Sequence, residues 1–338
     1  MNLNLKKINE KNIVLFLSFF LIVIIFSNFI HQNYDKFKSQ KSGNYSRLSN
    51  SEFKNSINQD LTNSSAYEFI LNRDCSITGD MHDRHKVRWV KIFLLKNIFE
   101  LSEKIKSNSP YYLNIFLHSI LIFLSLTILS KTFKLEIGYI IFFLFYISFI
   151  FHHHLGEYSY SIFEMFFASL ALYASKKKNV LLFFTICLMA ILNRESGFVL
   201  ILTWFLFNSG YKKALGGFLL LTIVFTIVNF KIINCMINPK FFIPLEYQTG
   251  QINLQDAFSL DFLSLIKLLV INYFLPFGII LYNLIKNKFK NKVFFLITVI
   301  YLLIFLFATP LSQVGTKLII LPLIILSFKT RNSKIYIH

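Results

Sequence analysis

The sequence predicts an all-α polytopic membrane protein of about ten transmembrane helices, and three observations carry that prediction. Hydrophobic residues fill 55% of the 338 positions and only 15% are charged, whereas a water-soluble domain carries about 25% charged residues. Mean hydropathy is +0.56. Apolar runs near the roughly 20 residues that cross a bilayer recur along the chain, and short lysine clusters alternate with lysine-free connections between them.

The first apolar run, 13–30, follows Lys6, Lys7 and Lys11 and has no small-residue cleavage site, so it reads as a retained first helix. Further spans are expected at 111–130, 135–151, 158–175, 179–192, 197–208, 214–233, 262–285, 293–308 and 316–328. The runs 179–192 and 197–208 are short and read as a helical hairpin. Lysine and arginine fall on alternate connections: Lys131 and Lys134, Lys176 to Lys178, Lys212 and Lys213, Lys286 to Lys292, and Lys329 to Lys334. The positive-inside rule puts these, and both termini, on the cytoplasmic side of a single membrane domain, 1–338. The long loop 31–110 and the loop 234–261 then lie outside. The net charge of +18 is explained by these loops, so a nucleic-acid partner is not expected. Cys75, Cys187 and Cys235 show no metal spacing.

Polar residues inside the apolar pattern mark candidate chemistry. Asn193-Arg194-Glu195-Ser196 interrupts the apolar stretch 179–208. An ionisable group at membrane depth costs about 2.5 kcal/mol or more by insertion scales. A helical hairpin whose legs are this short holds the tetrad below the outer surface, where irregular backbone must be buried in protein or line a wet cavity. Successive helical residues point about 100° apart, so Arg194 and Glu195 do not satisfy each other. Glu164, in the span 158–175, is the nominated partner for Arg194. One reading is a structural ion pair between helices; the other is a phosphate held by the guanidinium fork.

The outer loop holds a Ser/Asn-rich insert, 39–65, and a second half of different character. Val87, Val90, Leu94, Ile98, Leu101 and Ile105 repeat at helical spacing with Arg88 and several lysines elsewhere around the helix. This predicts an interfacial amphipathic helix over 87–106. It serves as a lipid anchor or presents cations to a lipid-linked phosphate. Before it, Asp80, His82, Asp83, Arg84 and His85 cluster within seven residues; they read either as a solvated helix start or as chemistry. His152 to His154, Glu157, Tyr158 and Tyr160 form an outer connection that reads as an interfacial belt. His118 and Lys317 are further polar residues within spans.

The order of these features resembles the GT-C superfamily of polytopic glycosyltransferases: one span, a long outer loop with acids and an interfacial helix, then many spans. Val87-Arg88-Trp89 and Asn193-Arg194-Glu195-Ser196 carry the resemblance to its bacterial members. It implies residence in a bacterial cytoplasmic membrane and a polyprenyl-phosphate-linked sugar as donor on the outer face. It also implies an acid taking the acceptor proton, for which Asp80, Asp83, Glu157 and Glu195 are candidates, with Asp35 a competitor nearer the first span. Cations must meet the departing phosphate, and Arg88, Arg194 and Lys317 are candidates for that. Some relatives use a divalent metal; no metal ligands are assigned here. The competing expectations are a transporter, flippase or polymerase of lipid-linked glycans, and a scaffold without chemistry.

Overall fold

The computed structural model describes residues 10–32, 90, 110–153, 160–208, 211–230, 262–270, 274–286, 292–308 and 315–332. Among these there is no strand. The helices are α1 (Glu10–Gln32), α2 (Pro110–Phe133), α3 (Ile137–His153), α4 (Tyr160–Lys176), α5 (Val180–Asn193), the 3-10 helix η1 (Glu195–Leu206), α6 (Tyr211–Val228), α7 (Phe262–Leu269), α8 (Leu275–Lys286), α9 (Lys292–Ala308), the 3-10 helix η2 (Gly315–Ile320) and α10 (Leu321–Asn332). Two contain stretches long and apolar enough to cross a membrane, 10–28 in α1 and 116–133 in α2. The 23 residues of α1 rise about 34 Å, matching the hydrocarbon thickness. Its surface agrees: Phe16, Leu17, Phe20 and Ile24 are all more than half exposed. So are Leu215, Leu219, Leu220, Ile223 and Ile227 on α6. Continuous apolar faces of this kind suit a hydrocarbon solvent and not water.

At the centre runs α4, packed against α2, α5, η1, η2 and α10. Its sequence explains the position. Ala168, Ala171, Ala174, Ser161, Ser169 and Ser175 are all buried, and small side chains let helices approach closely on every side. Ser169 returns its hydroxyl to the carbonyl of Met165 at 2.9 Å, so that its polarity is satisfied within the helix.

Contacts sort the helix ends into two groups. At one end, the Lys176 ammonium donates to the Thr132 carbonyl at 2.5 Å and lies 4.7 Å from the Phe133 ring centre, joining the ends of α2 and α4. Phe207 stacks on Phe133 at 6.0 Å, bringing the end of η1 there. Phe328 of α10 meets Tyr139 and Phe142 at the start of α3, and Asn283 of α8 donates to Ser327 of α10 at 2.9 Å. The basic residues Lys131, Lys134, Lys176 to Lys178 and Lys286 therefore flank one end of the bundle. Two of them, Lys134 and Lys178, take the left-handed conformation (φ 50° and 55°) that terminates α2 and α4. Asn179 then caps α5 by accepting the Leu182 N–H at 3.0 Å. At the opposite end Phe26 packs on His118 and Phe151, and His118 on Phe163.

Of the run 262–285, the described residues form α7 and α8, and 271–273 lie outside them. The interfacial helix 87–106 lies outside the described residues except for Val90, which is helical and buried.

The hairpin of α5 and η1 is antiparallel. Its open end is filled by Trp204 against Phe183, with ring centres 5.0 Å apart, and its tip closes over Gly197. A Cβ on Gly197 would lie 2.4 Å from the carbonyl carbon of Ala190 and 2.5 Å from the nitrogen of Ile191, both backbone atoms that no rotamer change can move. Gly197→Ala is therefore expected to destabilise the fold by about 1–3 kcal/mol through overpacking. Gly216→Ala on α6, with nothing within 4 Å of its added methyl, should be neutral or stabilise by up to about 1 kcal/mol. Thermal unfolding of both variants in detergent checks the contrast.

Candidate functional site

Five of the six buried positions of α5, Phe183, Ile186, Cys187, Ala190 and Ile191, share one helical stripe, while Leu181 on the other side is 80% exposed. The stripe carries the chain to Asn193, fully buried, where the helix stops. Arg194 adopts an extended conformation (φ −166°, ψ 148°). Its N–H closes α5 on the Ala190 carbonyl at 2.9 Å, and its own carbonyl accepts the Gly197 N–H at 2.9 Å, opening η1. One extended residue thus ends one helix and begins the next.

That residue's side chain turns into the bundle. The Arg194 guanidinium donates through Nη1 to Oε2 of Glu164 at 3.2 Å. Ser196 donates its hydroxyl to the other carboxylate oxygen, Oε1. Both oxygens of Glu164 are therefore engaged by the tetrad, one on each side of Glu195. The Arg194 side chain is 9% exposed and that of Glu164 1%. Charges removed so far from water repay their desolvation only through close pairing. Glu164 stands on the first turns of α4, at the end of the bundle opposite the basic turns. Beside it Phe163 carries the ring contact to His118, which is itself buried. From α9, the Tyr301 hydroxyl donates to the Val199 carbonyl in η1 at 3.3 Å.

The hairpin's foot is fixed to the same helix. Ser175 of α4 donates to the carbonyls of Thr203 and Trp204 at 3.0 and 3.3 Å. The Asn208 amide donates to the Ser175 carbonyl at 3.0 Å. Tip and foot of η1 are thus both held on α4.

Of the residues expected to carry chemistry, Arg194 sits in this cluster, joined to Glu164, the acid the sequence nominates as its partner. Glu195 begins η1, with its side chain outside the described part. Lys317 belongs to η2, an element packed directly on α4; its side chain is likewise outside the described part. Asp80, Asp83, Arg88 and Glu157 all lie outside the described residues. Ser196 and Tyr301 received no role from sequence. Ser196 was recognisable as the member of the tetrad with a hydroxyl two residues from the arginine; Tyr301, in an unbroken apolar run, carries no signal. Among the described residues no three His, Cys, Asp or Glu side chains gather into a metal-binding group.

Arg194→Ala or Glu164→Ala alone leaves its partner's charge buried, and each is expected to cost about 3–5 kcal/mol. Replacing both with apolar residues of similar volume, Arg194→Met with Glu164→Leu, should recover most of that loss. Unfolding of the two single variants and the double variant measures the coupling; additive losses would contradict a direct pair. No protein-family model, curated protein or solved structure matches the chain.

Proposed function

We propose that the chain is a polytopic membrane glycosyltransferase of the GT-C type, moving a sugar from a polyprenyl-phosphate-linked donor to an acceptor on the outer face of a cytoplasmic membrane. The observation that carries the reading is the buried Arg194–Glu164–Ser196 cluster at the tip of a short hairpin, opposite the lysine-bearing turns. Membrane proteins place intramembrane charges where substrates or ions pass. The 14 residues of α5 rise about 21 Å and the 12 residues of η1 about 24 Å. With the lysines at the inner surface, the tip lies several ångströms below the outer boundary of a roughly 30 Å hydrocarbon layer. In this reading the chain crosses the membrane about ten times, with both termini inside.

The reaction asks two things of the protein. The departing lipid phosphate gains negative charge, which cations set in advance must meet; Arg194 is the embedded candidate, with Arg88 and Lys317 supporting it. The acceptor hydroxyl must lose its proton to an acid within hydrogen-bond reach of the reacting centre. Asp80 and Asp83 are the leading candidates, Glu157 and Glu195 the others. Arg194 meets a phosphate by sharing or exchanging its contact with Glu164. No step is routed through a metal.

The Glu164 contact also favours a second reading, in which the cluster only locks the hairpin to α4. Transfer assays with purified protein and a synthetic polyprenyl-phosphate sugar separate the two. Under the catalytic reading, Arg194→Ala and one of Asp80→Asn and Asp83→Asn each lower transfer by about 10²-fold or more, the usual contribution of a proton-transfer group or charge-stabilising donor. Full transfer by all three variants would remove the catalytic assignment. Full transfer by Arg194→Met/Glu164→Leu would establish the lock.

A further inference from the structure

We infer that Glu164 is a built-in competitor for the phosphate that Arg194 receives, holding the anion site closed until a phosphate monoester displaces it. The inference rests on the phosphate-binding reading above and concerns how that site is regulated. Three observations lead to it. First, Glu164 presents two oxygens to two donors of the tetrad, the Arg194 guanidinium and the Ser196 hydroxyl. This is the donor set that a phosphate's oxygens would use, since a guanidinium fork accepts carboxylate and phosphate in the same way. Second, both side chains of the pair are at least nine-tenths buried. A buried pair is commonly no more stable than apolar residues of the same volume, so stability alone gives little reason for charges here. Third, the guanidinium comes from an extended residue at the break between α5 and η1 and not from a continuous helix face.

A phosphate entering beside an ionised Glu164 meets a like charge at contact distance. At about 4 Å that repulsion is worth about 1 kcal/mol in water and about 4 kcal/mol at the effective dielectric of a protein surface. Binding is therefore weakened by Glu164 while it depends on Arg194. Among the described residues, Tyr301 from α9 adjoins the cluster through its bond to Val199 and His118 from α2 through Phe163; neither is a carboxylate.

Glu164→Gln keeps the shape and two polar atoms while removing the charge. The full chain, reconstituted in zwitterionic lipid nanodiscs, is titrated with dodecyl phosphate and, separately, with inorganic phosphate. The wild type should bind dodecyl phosphate, Glu164→Gln should bind it at least about tenfold more tightly, and Arg194→Ala should lose binding. Glu164→Asp, which withdraws the carboxylate by one methylene, should fall between wild type and Glu164→Gln. It also serves as the test should Glu164→Gln not fold. Ligand-induced shifts in melting temperature within each variant separate binding from any change in basal stability. Wild-type binding that Glu164→Gln leaves unchanged or weakens overturns the competition and leaves the phosphate site standing. No binding by wild type or any variant overturns both. With Glu164→Gln tighter than wild type, equal binding of inorganic phosphate keeps the competition and makes the ligand a free phosphate instead of a lipid headgroup.

Discussion

A carboxylate on the central helix is held from both sides of a helix break, and the remaining geometry of this end of the molecule follows from that contact. Glu164 cannot face an apolar neighbour as an ion; some cation has to reach it. Arg194 reaches it because α5 stops at Asn193 and the next residue is extended, turning its side chain off the α5 stripe and into the bundle. A continuous helix through 194 would point the guanidinium elsewhere. The break is thus the condition for the pair, and the pair in turn satisfies a break that would otherwise leave charge in an apolar interior.

Close packing around α4 makes this contact inflexible. The buried alanines and serines of α4 bring α2, α5 and η1 against its backbone, leaving little room for Glu164 to choose another direction. Gly197 does the same within the hairpin, where it rests directly on the backbone of Ala190 and Ile191. The four positions from Arg194 to Gly197 therefore have separate jobs. Arg194 supplies the charge and the turn, Ser196 the second donor, Gly197 the absence of a side chain. Glu195 stands between the two donors to Glu164, and the contacts on either side fix its backbone.

Much of this was legible in the sequence because apolar runs and isolated charges are strong signals. The helical class, the hairpin at 179–208 and the Arg194–Glu164 partnership all follow from where polar residues interrupt apolar ones. The pair was readable because both charges lie in runs where an unpartnered ion is prohibitive. Other features leave no such mark. Lys134 and Lys178 end their helices in a conformation usually given to glycine, so each looks like an ordinary basic loop residue. The return leg of the hairpin reads as an α-helix because an apolar run without gaps does not distinguish a period of 3.6 from one of 3.0. The outer-loop acids stand apart from this comparison, as they lie outside the described residues.

The winding of that return leg has a geometric reason. The polar contacts between α4 and η1 converge on Glu164 and Ser175 of α4, which are eleven residues apart and so about 16–17 Å along the helix. Their partners on η1 are Ser196 and the carbonyls of Thr203 and Trp204. From Ser196 to Trp204 a 3-10 helix rises about 16 Å, whereas an α-helix would rise only about 12 Å. The tighter winding matches the spacing of the two contacts on α4. Runs of 3-10 helix beyond three or four residues are uncommon because their hydrogen bonds are poorer; here 12 residues hold that form between two fixed ends. The Glu164 contact and the winding of η1 are accordingly one constraint.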